Sequence, residues 1–190
     1  MEKQYYRTFI GIPIRPGPEL LSLRSELMAS FSRERISWVQ PELFHVTLRF
    51  IGDTPVSALE NIRELLRKRV QVPKTAELEL EGVGSFGPRK KPRVIWVGFK
   101  EPDLFETVKG EVDRALETCG IQREDFPFSP HLTLGRVRSL KYPDVYYESI
   151  RNISPSLKET VQIDRMVYYR SELGREGPKY TGLEEYMFSK

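Results

Sequence analysis

Phe44 to Ile51 reads FHVTLRFI, and Pro130 to Val137 reads PHLTLGRV. Both stretches alternate polar with apolar residues, the pattern of a strand with one face in a core. Within each, the order His, apolar residue, Thr, Leu is the same: His45-Val46-Thr47-Leu48 and His131-Leu132-Thr133-Leu134. Side chains two apart on a strand share a face, so each stretch offers one imidazole and one hydroxyl together while its aliphatic residues turn inward. Two copies of one pattern, nearly half the chain apart, point to an internal duplication. The fold expected from this is α+β and bilobal. It has two pseudo-symmetric lobes, each a mostly antiparallel sheet with helices on its outer face, and a groove between them. Residues 1–190 read as a single domain of two intertwined lobes, each carrying one motif.

The surrounding sequence fits this plan. Tyr5 to Ile14 is aromatic and β-branched and stops at Arg15-Pro16-Gly17-Pro18, a strand ended by a turn. Leu20, Leu21, Leu23, Leu27, Met28 and Phe31 recur at helical spacing, and Ile36 to Val39 is a short strand. After the first motif, Gly52-Asp53 breaks the strand, and Pro55 to Val70 carries Leu59, Ile62, Leu65 and Leu66 on one helical stripe. Ala76 to Val83 and Arg93 to Phe99 read as strands joined by a connector, Gly84 to Pro92. Pro102 to Cys119 is a helix closed by Gly120 and Asp144 to Ile153 a shorter one. Glu159 to Tyr169 and Tyr180 to Phe188 are the last strands expected. No run of regular βαβ units appears, which disfavours a doubly wound parallel sheet.

Bulk properties narrow the setting. With 39% hydrophobic residues a core is available, and no long apolar run marks a membrane span. The single cysteine, Cys119, has no partner for an internal disulfide, so the expected location is the cytoplasm. A net charge of +3 neither demands nor forbids a nucleic-acid partner.

The chemistry rests on the two imidazoles. One histidine on a strand is ordinarily a packed or surface residue. With nine threonines in 190 residues, however, Thr at plus two from both histidines arises by accident on the order of once in four hundred. Two imidazoles and two hydroxyls facing one cleft suit phosphodiester hydrolysis. One imidazole takes a proton from water and the other gives one to the departing oxygen, while the hydroxyls donate to the non-bridging oxygens. An imidazole pKa of about 6.5 populates both forms near neutrality. Metal ligation is disfavoured, because Cys119 and two distant histidines lack the spacing of a metal site; no metal and no cofactor are expected.

The paired motifs, with the second set in Phe126-Pro127-Phe128-Ser129-Pro130-His131-Leu132-Thr133-Leu134-Gly135-Arg136, resemble those of the two-histidine phosphoesterase superfamily. They are most similar to the RNA 2′,3′-cyclic phosphodiesterases formerly called 2′-5′ RNA ligases. The likeness extends through Arg7-Thr8-Phe9-Ile10, Arg93 to Gly98, Ser171-Glu172-Leu173 and Gly177 to Tyr180. It implies hydrolysis of terminal 2′,3′-cyclic phosphates of RNA or nucleotides, tRNA fragments among them, to 2′-phosphomonoesters by a monomer. It also implies His45 as proton donor, His131 as proton acceptor, and Thr47, Thr133 and Arg136 on the phosphate, whose geometry a guanidinium matches. Sequence symmetry alone does not separate acid from base. The first motif has Arg49 and Phe50 where the second has Gly135 and Arg136, so Arg49 is not taken as the counterpart of Arg136. Alternative readings of the same groove are a 2′-5′ RNA ligase or phosphodiesterase, or a non-catalytic module that holds RNA ends.

Two further features are candidates for substrate contact. Arg89, Lys90, Lys91 and Arg93 form a basic connector that would steer RNA phosphates, against the ordinary reading of a solvated loop. Phe126, Phe128, Tyr168 and Tyr169 offer faces for a terminal base, against core packing.

Overall fold

The structure, a computed structural model, describes residues 4–174 and 177–190. Strands β1 (Tyr5–Pro13), β2 (Arg35–Trp38), β3 (His45–Pro55), β4 (Ala76–Phe86), β5 (Val94–Phe99), β6 (Leu132–Ser139), β7 (Thr160–Ile163), β8 (Arg165–Gly174) and β9 (Gly177–Met187) form one sheet. Its order is β7-β4-β5-β6-β3-β1-β8-β9, with β2 added beside β6, and the named strand pairs are antiparallel. Four helices cover it: α1 (Pro18–Ser30), α2 (Leu59–Arg69), α3 (Asp103–Glu117) and α4 (Pro143–Ile153). The α+β, bilobal expectation holds. The two lobes are the halves β7-β4-β5-β6 and β3-β1-β8-β9 of one continuous sheet.

The helices form because apolar side chains recur along one stripe. Leu59, Ile62 and Leu66 of α2, and Phe105, Val108, Val112 and Leu116 of α3, are buried. Helices cross between the halves. α2 follows β3 yet packs on α3, which follows β5, and α1 follows β1 yet packs on α4. The N-terminus of α1 has Gly17 at its cap and no side chain of its own to bond the free amides. Glu159, just before β7, supplies the oxygens instead, accepting from the amides of Gly17 (2.8 Å), Glu19 (3.0 Å) and Leu20 (3.1 Å).

The structure departs from the sequence expectation in three places. Glu159 to Tyr169 is not one strand: it divides at Asp164 into β7, paired with β4, and β8, paired with β1. Because β7 stands at one end of the strand order and β8 next to the other, a single intervening residue requires the sheet to curl until its ends meet. The amide of Thr75 donating to Ser189 (2.7 Å) closes the same seam. Gly52-Asp53 does not stop β3, which runs on to Pro55. The glycine, at φ +82°, follows the extra residue of a bulge at Ile51, so the turn-like pair is absorbed within the ladder. β4 likewise extends to Phe86, shortening the basic connector.

Candidate active site

The two motif strands are neighbours. β3 and β6 meet in antiparallel register at Val46 and Leu132, both fully buried. That register sets His45 across from Thr133 and Thr47 across from His131, all four on the face opposite Val46 and Leu132. The imidazoles are diagonal neighbours on adjacent strands, a relation that on a regular ladder puts Cβ atoms about 7–8 Å apart. Two strands that would otherwise belong to separate lobes are thereby joined at the one point where chemistry needs them joined.

Each ring is held in the same way. Nδ1 of His45 donates to the carbonyl of Leu43 and Nδ1 of His131 to that of Ser129, each at 2.7 Å and each two residues back. A carbonyl only accepts, so in both rings the hydrogen sits on Nδ1 and Nε2 is left for proton transfer. An aromatic ring stands edge-on to each imidazole: Tyr180 to His45 (5.2 Å, 88°) and Phe86 to His131 (4.7 Å, 88°). Gly11 lies against His45, where an added Cβ would stand 3.0 Å from the Val46 carbonyl oxygen and 3.3 Å from the ring Cδ2. Only a residue without a side chain lets β1 approach that closely.

Burial lowers the pKa of His45 below the usual imidazole range, opposed by its bond to Leu43, with the charges of Arg136 and His131 adding to the depression. Burial also lowers His131, against its bond to Ser129, with Arg136 again adding. Both rings therefore favour the neutral form in the empty groove.

A matched pair of bulges decides what lies beyond the threonines. Leu48 is the extra residue where β3 pairs with β1, and Leu134 is the extra residue where β6 pairs with β5. Each bulge shifts the alternation by one, so the fifth residue after the histidine, not the fourth, faces the groove. Phe50 and Arg136 accordingly line it. Arg49, 3% exposed, turns to the far side, where it ion-pairs with Asp113 (3.7 Å) and Glu124 (3.4 Å) and donates to the carbonyl of Gln122. Arg49 is thus no counterpart of Arg136, and it ties the first motif strand to the segment that leads to the second motif.

The groove has a volume of about 730 Å³, and His45, Thr47, Thr133 and Arg136 line it together with Arg7, Arg138, Phe9, Phe50, Trp38 and Tyr180. His131 is half-buried beside it, close enough for its charge to act on His45. Among the described residues, no group of three or more His, Cys, Asp or Glu side chains is placed to hold a metal, and no helix is long and apolar enough to cross a membrane.

Several candidates from the sequence lie elsewhere. Tyr168 is fully buried, its hydroxyl donating to Thr8 (3.3 Å), so it cannot stack a base. Phe126 is 84% exposed and outside the groove, and Phe128 packs on the core beneath the ammonium of Lys109. Tyr169 does reach the site, stacked on Phe9 (4.9 Å) with its ring 6.3 Å from His45. None of Arg89, Lys90, Lys91 and Arg93 lines the groove, and Arg89 sits over Tyr147 instead. Arg7, Phe9 and Gly11 were legible as one face of β1 by alternation, whereas Phe50 required knowledge of the bulge.

This geometry can be set beside known proteins. The family model for LigT like Phosphoesterase matches residues 10–96 and 98–180. The chain is a LigT-like phosphoesterase. It is 32% identical over 185 residues to a Thermotoga maritima protein named RNA 2′,3′-cyclic phosphodiesterase, covering 96% of this chain and 95% of that one. A Methanothermobacter thermautotrophicus protein of the same name is 27% identical, with 94% and 96% covered. A third, from Geobacillus stearothermophilus, is 29% identical, and there this LigT-like chain spans 56% of the relative's length. Among solved structures, a Thermus thermophilus protein superposes with a TM-score of 0.72 at 23% identity, covering 96% and 97% of the two chains. Escherichia coli LigT complexed with 3′-AMP gives 0.67 at 19%, with 98% and 100% covered. These structural likenesses establish the LigT-like fold.

Proposed function

We propose that this LigT-like phosphoesterase hydrolyses the 2′,3′-cyclic phosphate at RNA ends to a 2′-phosphomonoester by acid and base catalysis from His45 and His131. The observation that carries the reading is the Val46–Leu132 pairing, which sets two imidazoles with free Nε2 atoms on one face. The names of the full-length relatives support the substrate. Nε2 of His131 takes a proton from water as its oxygen bonds to phosphorus. The bond from phosphorus to the ribose 3′ oxygen breaks, and Nε2–H of His45 protonates that oxygen. Thr47 and Thr133 donate to the non-bridging oxygens, and Arg136 balances the charge that grows there. Burial disfavours an imidazolium in the empty groove, so the anionic phosphate itself stabilises the protonated ring of the donor. Phe50 and Tyr180 offer faces for the terminal base, with Phe9 packed beneath them.

Both motifs belong to one chain, which supports a monomer of one domain across residues 1–190. We infer a cytoplasmic enzyme with tRNA fragments among its substrates, and the lone Cys119 accords with that compartment.

The test is turnover of a nucleoside 2′,3′-cyclic phosphate. His45→Ala and His131→Ala should each lower kcat by about 10²–10⁴ with the fold retained by circular dichroism. Phosphorus NMR should find the 2′-phosphate, and activity should survive chelators. Full activity in either variant would end the proposal.

A further inference from the structure

The duplication is broken in one respect. Five and seven residues after its histidine, the first motif carries Phe50 and Gly52, and the second carries Arg136 and Arg138. The groove therefore has an aromatic end around His45, with Phe9, Phe50 and Tyr180, and a cationic end along β6.

The state of these arginines matters more than their number. Among the described residues, no carboxylate lines the groove. Among the described residues Arg136 has no ion pair, and Arg138 is bonded through Nε to the neutral hydroxyl of Ser37 at 3.1 Å. Some arginines elsewhere on the surface are matched to carboxylates, as Arg67 is to Glu184 (2.7 Å) and Arg123 to Glu117 (2.7 Å). Ser37 holds Arg138 without neutralising it and leaves both terminal nitrogens of the guanidinium free. β2, which carries Ser37, pairs with β6 across this stretch, with Arg138 as the extra residue of a bulge. The side chain is thus steadied by backbone as well as by a hydrogen bond.

Two residues of strand advance about 6.6 Å. That is close to the separation of neighbouring phosphates along a single nucleic acid strand. With Arg136 beside the reacting phosphorus, Arg138 stands where the preceding phosphate would fall. We propose that Arg138, held by Ser37, is a subsite for the phosphate that precedes the cyclic one. The RNA strand then leaves the groove over β6, its terminal base at the aromatic end, and the site selects oligonucleotide ends over mononucleotides. This rests on the hydrolase reading above and adds the direction of the strand.

The experiment compares kcat/KM for adenosine 2′,3′-cyclic phosphate with that for a triadenylate ending in the same group. The wild-type chain should favour the triadenylate at least tenfold at low salt, with the preference shrinking as salt rises. Arg138→Gln should lower kcat/KM for the triadenylate about tenfold more than for the mononucleotide, Arg138→Lys should restore much of the difference, and Ser37→Ala should lose part of it. A wild-type enzyme indifferent to length would overturn the subsite while leaving the hydrolase reading intact. So would Arg138→Gln lowering both substrates equally, or Arg7→Gln, at the aromatic end, being the variant that erases the preference. No wild-type turnover of either substrate would overturn the hydrolase reading and the subsite together.

Discussion

At the scale of single residues, the two imidazoles are distinguished from ordinary strand histidines by what surrounds them. Burial lowers both pKa values, so in the free enzyme both limbs of the kcat/KM profile should lie on the acid side of about 6.5. In the complex the phosphate favours the imidazolium, and the basic limb of the kcat profile should move upward. A pH series of both constants reads the two effects separately. The same shifts bear on stability. The unfolded chain binds protons at a higher pH than these rings do when folded, so stability falls as the pH drops from about 6.5 toward their folded values. His45→Gln should therefore lose less melting temperature between pH 7 and pH 5 than the wild type.

Arg49 is the residue whose role the sequence hid. Strict alternation from His45 and Thr47 would aim it at the groove, but one extra residue in the ladder, Leu48, sends it to Asp113 instead. Lys109 still pairs with Asp113 (2.9 Å) and Glu124 (3.4 Å) when Arg49 is removed, so Arg49→Met leaves neither carboxylate without a cation and should cost about 1–3 kcal/mol by urea unfolding, chiefly from the lost bond to Gln122. His45, His131, Thr47 and Thr133 were legible because strand alternation is local. Arg136 was legible as a charge, but its aim toward the groove depends on Leu134 being squeezed out of register, which no local pattern encodes.

At the scale of elements, most strands and all four helices were readable because their apolar residues repeat with the period of the structure they form. The failure at Asp164 has a physical cause. β7 alternates and β8 opens on the buried run Met166-Val167-Tyr168, both ordinary strand patterns, and nothing short-range in Glu159 to Tyr169 records that their partners stand apart in the strand order. Glu159 carries the same lesson. It looks like the polar start of a strand, and it is the cap of a helix far away in sequence. Glu159→Gln keeps one acceptor oxygen and loses the charge that suits a helix N-terminus, so it should destabilise by about 1 kcal/mol, and Glu159→Ala by about 2. Thermal melts of the two variants separate the charge from the hydrogen bonds.

At the scale of the molecule, the sheet is assembled from pairings that are distant in sequence. β1 pairs with β8, and the hydroxyls of Thr8 and Tyr168 are joined across 160 residues. Such topology places refolding in the range of about milliseconds to seconds, and stopped-flow fluorescence of Trp38 and Trp96 should fall there. Amides of β1, paired along the strand with β3 on one side and β8 on the other, should be among the slowest to exchange with deuterium.

The closing of the sheet at Asp164 bears on how the protein is born. β1 leaves the ribosome first and finds β3 soon after, yet its other side stays bare until β8 follows more than a hundred residues later. Through most of translation the nascent chain displays an open row of amides and carbonyls beside Phe9 and Ile10, a template for any stray strand. A polypeptide halted at Asp164 would keep that template for good, so early termination would yield clumping material, not a half-sized catalyst.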